Sequence, residues 1–223
     1  MQRALAAQLI VGVSALSGAC SNTGASSAPL SVSAPATPEV SPTPAGPPAS
    51  PQPVPMSNTA DANVPPHLRQ FPGLSVRHGD QIVPASEGDL EVARGYPTTS
   101  AKGGWIDQRR LTLLTAHLRV RLGEPVRVIH VVETTRPGDQ LYVMGPKPIC
   151  GEYVDGALRT AAAPASGDPL APAGLYDGRV LPAPAVDYNW DITEYSFASA
   201  GSHTIEWKLG PLVSNPLTIE AVP

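Results

Sequence analysis

Between Ser21 and Pro66 the sequence runs SNTGASSAPLSVSAPATPEVSPTPAGPPASPQPVPMSNTADANVPP, with Glu39 and Asp61 as its only charges and no aromatic residue. Such a stretch cannot bury enough apolar surface to offset the entropy of ordering it. Any packed core must therefore come from the residues beyond Pro66. The proline spacing favours extended polyproline II at about 3.1 Å per residue, a semi-stiff spacer reaching at most about 140 Å. The alternative is a disordered tail with no spacing role.

Beyond Pro66 the apolar residues alternate. In GSHTIEWKLG, Ile205, Trp207 and Leu209 share one face, and Thr204, Glu206 and Lys208 the other. PLTIEAV repeats the pattern with Leu217 and Ile219, and HLRVRLG places Leu118, Val120 and Leu122 together. PVRVIHVVETT is nearly continuous and β-branched, which predicts a strand covered on both faces. Pro137-Gly138, Asp155-Gly156, Asp177-Gly178 and Gly210-Pro211 supply turns between these runs. No run beyond the leader has sustained helical periodicity, and 27 Pro and 20 Gly disfavour a helix bundle. The expectation is an all-β fold. In DYNWDITEYSF, Tyr188, Trp190 and Ile192 share one parity and Tyr195 and Phe197 the other, which predicts a bulge or a strand crossing near Thr193.

The N-terminus, MQRALAAQLIVGVSALSGAC, has Arg3, then an apolar run too short to span a membrane, then small residues, the layout of an export signal. Ser17-Gly18-Ala19-Cys20 resembles the lipobox of bacterial lipoprotein precursors, with Ser17 where the aliphatic residue usually stands and Leu16 one position further out. The resemblance implies cleavage before Cys20 and lipidation of that residue, and Ser21 after it implies sorting to the outer membrane. The alternative is an ordinary leader cut near Ala19, with Cys20 left free or paired.

The C-terminal YSFASAGSHTIEWKLGPLVSNPLTIEAV resembles the last three strands of bacterial immunoglobulin-like domains, and LGEPVRVIHVVE an early strand pair. His203 stands where such domains usually carry Tyr. The resemblance implies an immunoglobulin-like β-sandwich and says nothing of a ligand. The expected organisation is a signal peptide (1–19), lipidated Cys20 with a disordered Pro-rich tether (20–66), an extra hairpin or loop segment packed on the sandwich (67–110), and the sandwich (111–223). Within the third part, LSVRHGDQIV and LEVARGYP read as hairpin strands, and TTSAKGGWIDQRR as a loop anchored by Trp105.

Catalytic signals are weak. Cys150, flanked by apolar residues in PICGEYV, reads as a small buried hydrophobe rather than a nucleophile. The histidines at 67, 78, 117, 130 and 203 never fall at zinc-ligand spacing, and His130 among valines reads as core. Asp187, Asn189 and Asp191 repeat half of a calcium loop, but Ile192 replaces its glycine and Ala198 its final Glu. No metal, cofactor or enzymatic activity is expected. A net charge of −4, with Arg109-Arg110 reading as a solvated strand end, argues against nucleic acid. The expected function is that of an envelope-anchored binding or structural module, held to a membrane by its lipid, contacting another envelope protein. The alternative is carbohydrate or peptidoglycan binding through Tyr153, Tyr176, Tyr188 and Trp190, whose rings would stack on sugars.

Overall fold

The computed structural model describes residues 64–172 and 174–223; the leader, Cys20 and the tether as far as residue 63 lie outside the described residues. A 3-10 turn (Pro66–Leu68) leads to a hairpin of β1 (Ser75–His78) and β2 (Gln81–Pro84), and then to helix α1 (Glu87–Arg94). Next come β3 (Arg109–Leu114), β4 (Arg119–Arg121), β5 (Pro125–Thr134), β6 (Gln140–Val143), β7 (Glu152–Val154) and β8 (Ala157–Leu158). The chain continues through β9 (Arg179–Pro182), β10 (Ala185–Asp187), β11 (Thr193–Ser196), β12 (Gly201–Leu209), β13 (Leu212–Val213) and β14 (Leu217–Val222).

Two sheets pack face to face in a sandwich-like, all-β arrangement. The first is built on β5, which pairs antiparallel with β3, with β10 at its C-terminal half and with β11 at its N-terminal half. The second runs β4-β14-β12-β7-β8, antiparallel throughout except for the parallel β4–β14 pair. β13 folds back on the end of β12, and β6 and β9 form a separate ribbon. The strand alternation places Ile205, Trp207, Leu209, Leu217 and Ile219 in the core between the sheets, against Leu111, Leu113, Val126, Val128 and Val132.

β5 is buried on both sides. Val126, Val128, His130 and Val132 face the second sheet, while Ile129 and Val131 face outward into a second cluster with Leu68, Leu74, Ala93, Tyr96 and Tyr188. That cluster is supplied largely by residues 64–96, which lie over the outer face of the first sheet. A solvated outer face would have left those valines and isoleucines wet, at about 1.5–3 kcal/mol each.

Four local readings of the sequence are corrected. LEVARGYP is helical over its first half: Ser86 caps α1, its Oγ accepting from Asp89 N at 3.2 Å and donating to the Asp89 carboxylate at 2.6 Å. This S-x-x-D box, with acids in the first turn and Arg94 in the last, outweighs the short apolar alternation. Leu118 and Leu122 are exposed, because β4 is a three-residue edge strand that sends only Val120 inward. Arg109 and Arg110 are not solvated: Arg109 is bidentate to Asp139 at 2.5 and 2.7 Å, and Arg110 reaches Glu133. Trp105 is exposed beneath the Arg110 guanidinium, 4.2 Å from ring centroid to carbon, rather than anchored in a core. The phase shift near Thr193 takes the expected form. Five residues, 188–192, separate β10 from β11 where β5 advances by only three, 129–131.

His203, at the start of β12, stacks on Phe197 with ring centroids 4.2 Å apart. Its Nε2 lies 3.0 Å from the Ser199 carbonyl and its Nδ1 2.7 Å from the Asp155 carboxylate. The hydrogen bond to Asp155, then the one to Ser199, raise the His203 pKa above its ordinary 6.5. A raised folded-state pKa contributes stability that is complete below the unfolded value and lost as pH rises through the folded value. We therefore expect His203 to titrate above 6.5 by NMR, and His203→Ala to lose more stability near about pH 6 than near about pH 9. A titration at or below 6.5 would contradict this contact.

Candidate functional site

Three polar constellations stand out, and two are sealed. On the outer face of β5, Glu133 accepts hydrogen bonds from His67 Nε2 at 2.8 Å, the Tyr96 hydroxyl at 2.5 Å and Arg110 Nε at 2.8 Å. Its side chain is 2% exposed. Burial alone would push the Glu133 carboxyl up; the Tyr96, His67 and Arg110 donors more than offset it and hold it below the usual range. Burial and the neighbouring Glu133 push the Tyr96 phenol well up, so it stays a donor. Both oxygens of this carboxylate are engaged, and its chemistry is that of a rivet between residues 64–96 and the first sheet.

The second constellation lies between the sheets. His130 Nε2 is 2.9 Å from Glu152 Oε1, and the Tyr195 hydroxyl donates to Glu152 Oε2 at 2.6 Å. The His130 and Glu152 side chains are both 0% exposed. Burial would raise the Glu152 carboxyl, and the His130 and Tyr195 contacts reverse that and hold it low. The His130 ring also packs edge-on to Trp207 at 5.0 Å, and its Nδ1 has no partner. A histidine beside a carboxylate looks like a catalytic pair, but nothing can reach it without parting the sheets.

The third is open to solvent: a groove of about 860 Å³, within the usual range for ligand sites. One wall is the loop Met144–Cys150, another the proline-rich loop 164–172, and the β1–β2 hairpin contributes Arg77 and Ile82. Trp190 and Leu209 come up from the inter-sheet core. Local bonds fix these walls. Gly151, at φ +73, brings its backbone against the Lys208 carbonyl, where any Cβ would clash, and bonds Ala161 O at 2.7 Å. Asp168 pairs with Arg109 at 2.8 Å and so pins the proline-rich loop to β3. Lys147 donates to the Asp187 carboxylate and to Tyr142 O at 3.1 Å, and its ammonium lies 4.3 Å from the Trp190 ring centroid. Burial pushes the half-buried Asp191 carboxyl up.

The residues singled out from sequence are scattered. Tyr188 is 2% exposed, edge-on to Phe71 at 5.2 Å and Tyr96 at 5.7 Å, so its ring has no free face for a sugar. Trp190 is 8% exposed, packed on Trp207 at 5.1 Å, and reaches the groove with what remains. Tyr153 is half-buried on β7 under the Lys208 ammonium. Tyr176 is half-buried, donates to Val143 O at 2.7 Å and contacts Tyr142. Among the described residues no ring contact joins two of these four, so they make no common stacking platform. The carboxylate of Asp187, first in the half calcium loop, is turned to Lys147 and to the Asn189 N–H at 2.8 Å. Cys150 is buried as expected but is disulfide-bonded rather than a thiol. Sequence reasoning missed Lys147, Met144 and the loop 164–172, because a groove made of loops leaves no periodic signal.

Glu152→Gln should cost about 3 kcal/mol at neutral pH, since it removes one partner of a buried pair. Because the folded carboxyl is held low, this contribution is complete above the ordinary value of 4.5 and fades as pH falls through the folded pKa. Urea midpoints of the two proteins should converge on acidification; a gap unchanged down to about pH 3 would refute the assignment. No protein-family model, no curated protein and no solved structure matches this chain, so its own residues are what speak for its function.

Proposed function

We propose that the chain is an exported cell-envelope lipoprotein that presents an immunoglobulin-like sandwich as a binding module for another envelope protein. The observation that carries the binding reading is the open groove beside two sealed polar clusters: the rigid parts of the domain hold loops around an accessible concavity. Strand order supports the immunoglobulin-like assignment. β3-β5-β11 and β7-β12-β14 correspond to the two sheets of such domains, each centred on a strand with a long apolar face. His203 supports it too. Its ring bonds a backbone carbonyl four residues upstream, as the tyrosine hydroxyl of such domains does at the same corner.

The envelope location rests on the leader and Cys20. Each buried lipid CH₂ contributes about 0.8 kcal/mol, so several acyl chains would hold the protein to a membrane durably. Cys20 is the chain's only cysteine besides Cys150, and a thioether occupies the sulfur that a disulfide between them would need. The two states exclude each other, and mass spectrometry of the mature chain separates them. The expected result is a lipid-bearing N-terminal peptide, with Cys20→Ser released from the membrane fraction and unlabelled by radioactive palmitate. Recovery of a Cys20–Cys150 disulfide peptide, with no lipid, would overturn the anchor. Crosslinking of the full chain in intact envelopes should then yield one enriched protein, and recovery of glycan alone would replace the protein partner by a carbohydrate.

A further inference from the structure

The groove holds two opposite charges that the fold leaves unmatched. Of its four charged side chains, Lys147 is paired with Asp187 and Asp168 with Arg109. The other two are Arg77, exposed on β1, and Asp191, half-buried in the segment that leads into β11. Among the described residues no hydrogen bond or ion pair reaches the Asp191 carboxylate, and none is made by the Arg77 guanidinium. Burial disfavours the charged form of Asp191, and the nearby Arg77 favours it without touching it. The two charges therefore stand apart, one at the mouth of the groove and one deeper in it.

Their chemistry selects a ligand. A half-buried carboxylate without a donor gains most from a group that brings both N–H bonds and positive charge, and a primary ammonium brings three donors. A guanidinium presents two parallel N–H bonds to a carboxylate. A purely cationic ligand would be repelled by Arg77, and a purely anionic one by Asp191. A ligand with one charge of each sign matches both. Around them run apolar surfaces, from the half-buried Tyr142, Met144 and Leu170 and the exposed Ile82, which suit an uncharged side chain. The groove, at about 860 Å³, would be left mostly unfilled by a single amino acid. A dipeptide or tripeptide holds its terminal charges about 7–10 Å apart when extended, as two groups that do not touch require.

We infer that the groove binds a short zwitterionic peptide, with its terminal ammonium on Asp191, its terminal carboxylate on Arg77 and an apolar side chain against Tyr142, Met144 and Leu170. Both ends of this ligand are free, so it is a small peptide and not a loop of a folded partner. The inference rests on reading the groove as a binding site, and it can fail apart from the envelope partner. Capture of one envelope protein by crosslinking, undiminished in the Arg77→Gln, Asp191→Asn double variant, beside a groove that takes no peptide, would remove this inference alone.

The experiment is a calorimetric titration of the full chain, in detergent solution, with the tripeptide Ala-Leu-Ala and with its N-acetylated and C-amidated forms. The unblocked peptide should bind, and each block should weaken it at least about tenfold, a change of about 1.4 kcal/mol. Asp191→Asn should abolish the penalty of acetylation and keep that of amidation, and Arg77→Gln should do the reverse. Neither side chain holds a contact in the fold, so both variants keep it. No binding of the unblocked peptide, or equal binding of the blocked forms, would overturn the proposal. So would penalties indifferent to both substitutions. Tighter binding of glycerophosphoethanolamine than of the peptide would overturn it in favour of a lipid head group.

Discussion

The sandwich depends on one strand being dry on both sides. β5 sends Val126, Val128, His130 and Val132 into the inter-sheet core and Arg127, Ile129, Val131 and Glu133 outward. The outward face is neither bare nor wholly apolar. Two valine- and isoleucine-sized residues sit between two charges, each matched by a group from residues 64–96. Arg127 is bidentate to Asp89 at the first turn of α1, at 3.0 Å for both bonds, and Glu133 takes Tyr96 and His67. Apolar burial supplies the free energy, and the ion pairs fix where the covering segment sits. A slip of one residue would strand a buried carboxylate, which costs several kcal/mol. Residues 64–96 are thus a third layer, bound in register, rather than a loose preface to the sandwich.

The inner face of β5 solves another problem with the same logic. Antibody domains join their two sheets by a disulfide against a buried tryptophan. Here the inter-sheet contact is made by His130 on β5, edge-on to Trp207 on β12 and hydrogen-bonded to Glu152 on β7. Trp190 packs on Trp207 from the segment between β10 and β11, which extends the aromatic stack toward the groove. Trp207 therefore sits in the middle of the core, and Trp190 joins that core to the lining of the open site. A groove floored by core residues cannot deform cheaply, because close-packed interiors resist displacement. Its selectivity must come from the loops.

How much of this was legible in the sequence follows from what produces each feature. Period-two alternation located β12 and β14 and their inward residues, and the unbroken β-branched run identified β5 as doubly covered, because burial writes itself directly into apolar spacing. The helix α1 escaped since eight residues with three apolar positions give no sustained period, although Ser86 and Asp89 announced its start. Leu118 and Leu122 misled because alternation reports a strand's pleat and not whether a neighbouring sheet reaches both ends of it. The aromatic residues misled for a related reason. Tyr188 and Trp190 share a parity, yet the irregular stretch 188–192 turns one into the outer cluster and the other into the inner. The charged partners were illegible altogether: Glu133 and His67 are 66 residues apart, Arg127 and Asp89 38 apart, and nothing local links them.

The groove has the same non-local origin, and that bears on what it can hold. Its walls are loops broken by prolines, Pro146 and Pro148 in one and Pro164, Pro169 and Pro172 in the other. Lys147 is paired with Asp187 and Asp168 with Arg109, while the groove also carries an exposed Arg77 and a half-buried Asp191. Apolar contact from Tyr142, Met144 and Ile82 lies alongside those charged groups. Selectivity there follows from which of those charges a ligand can match, because a polar group left unpaired on burial costs more than a matched one returns.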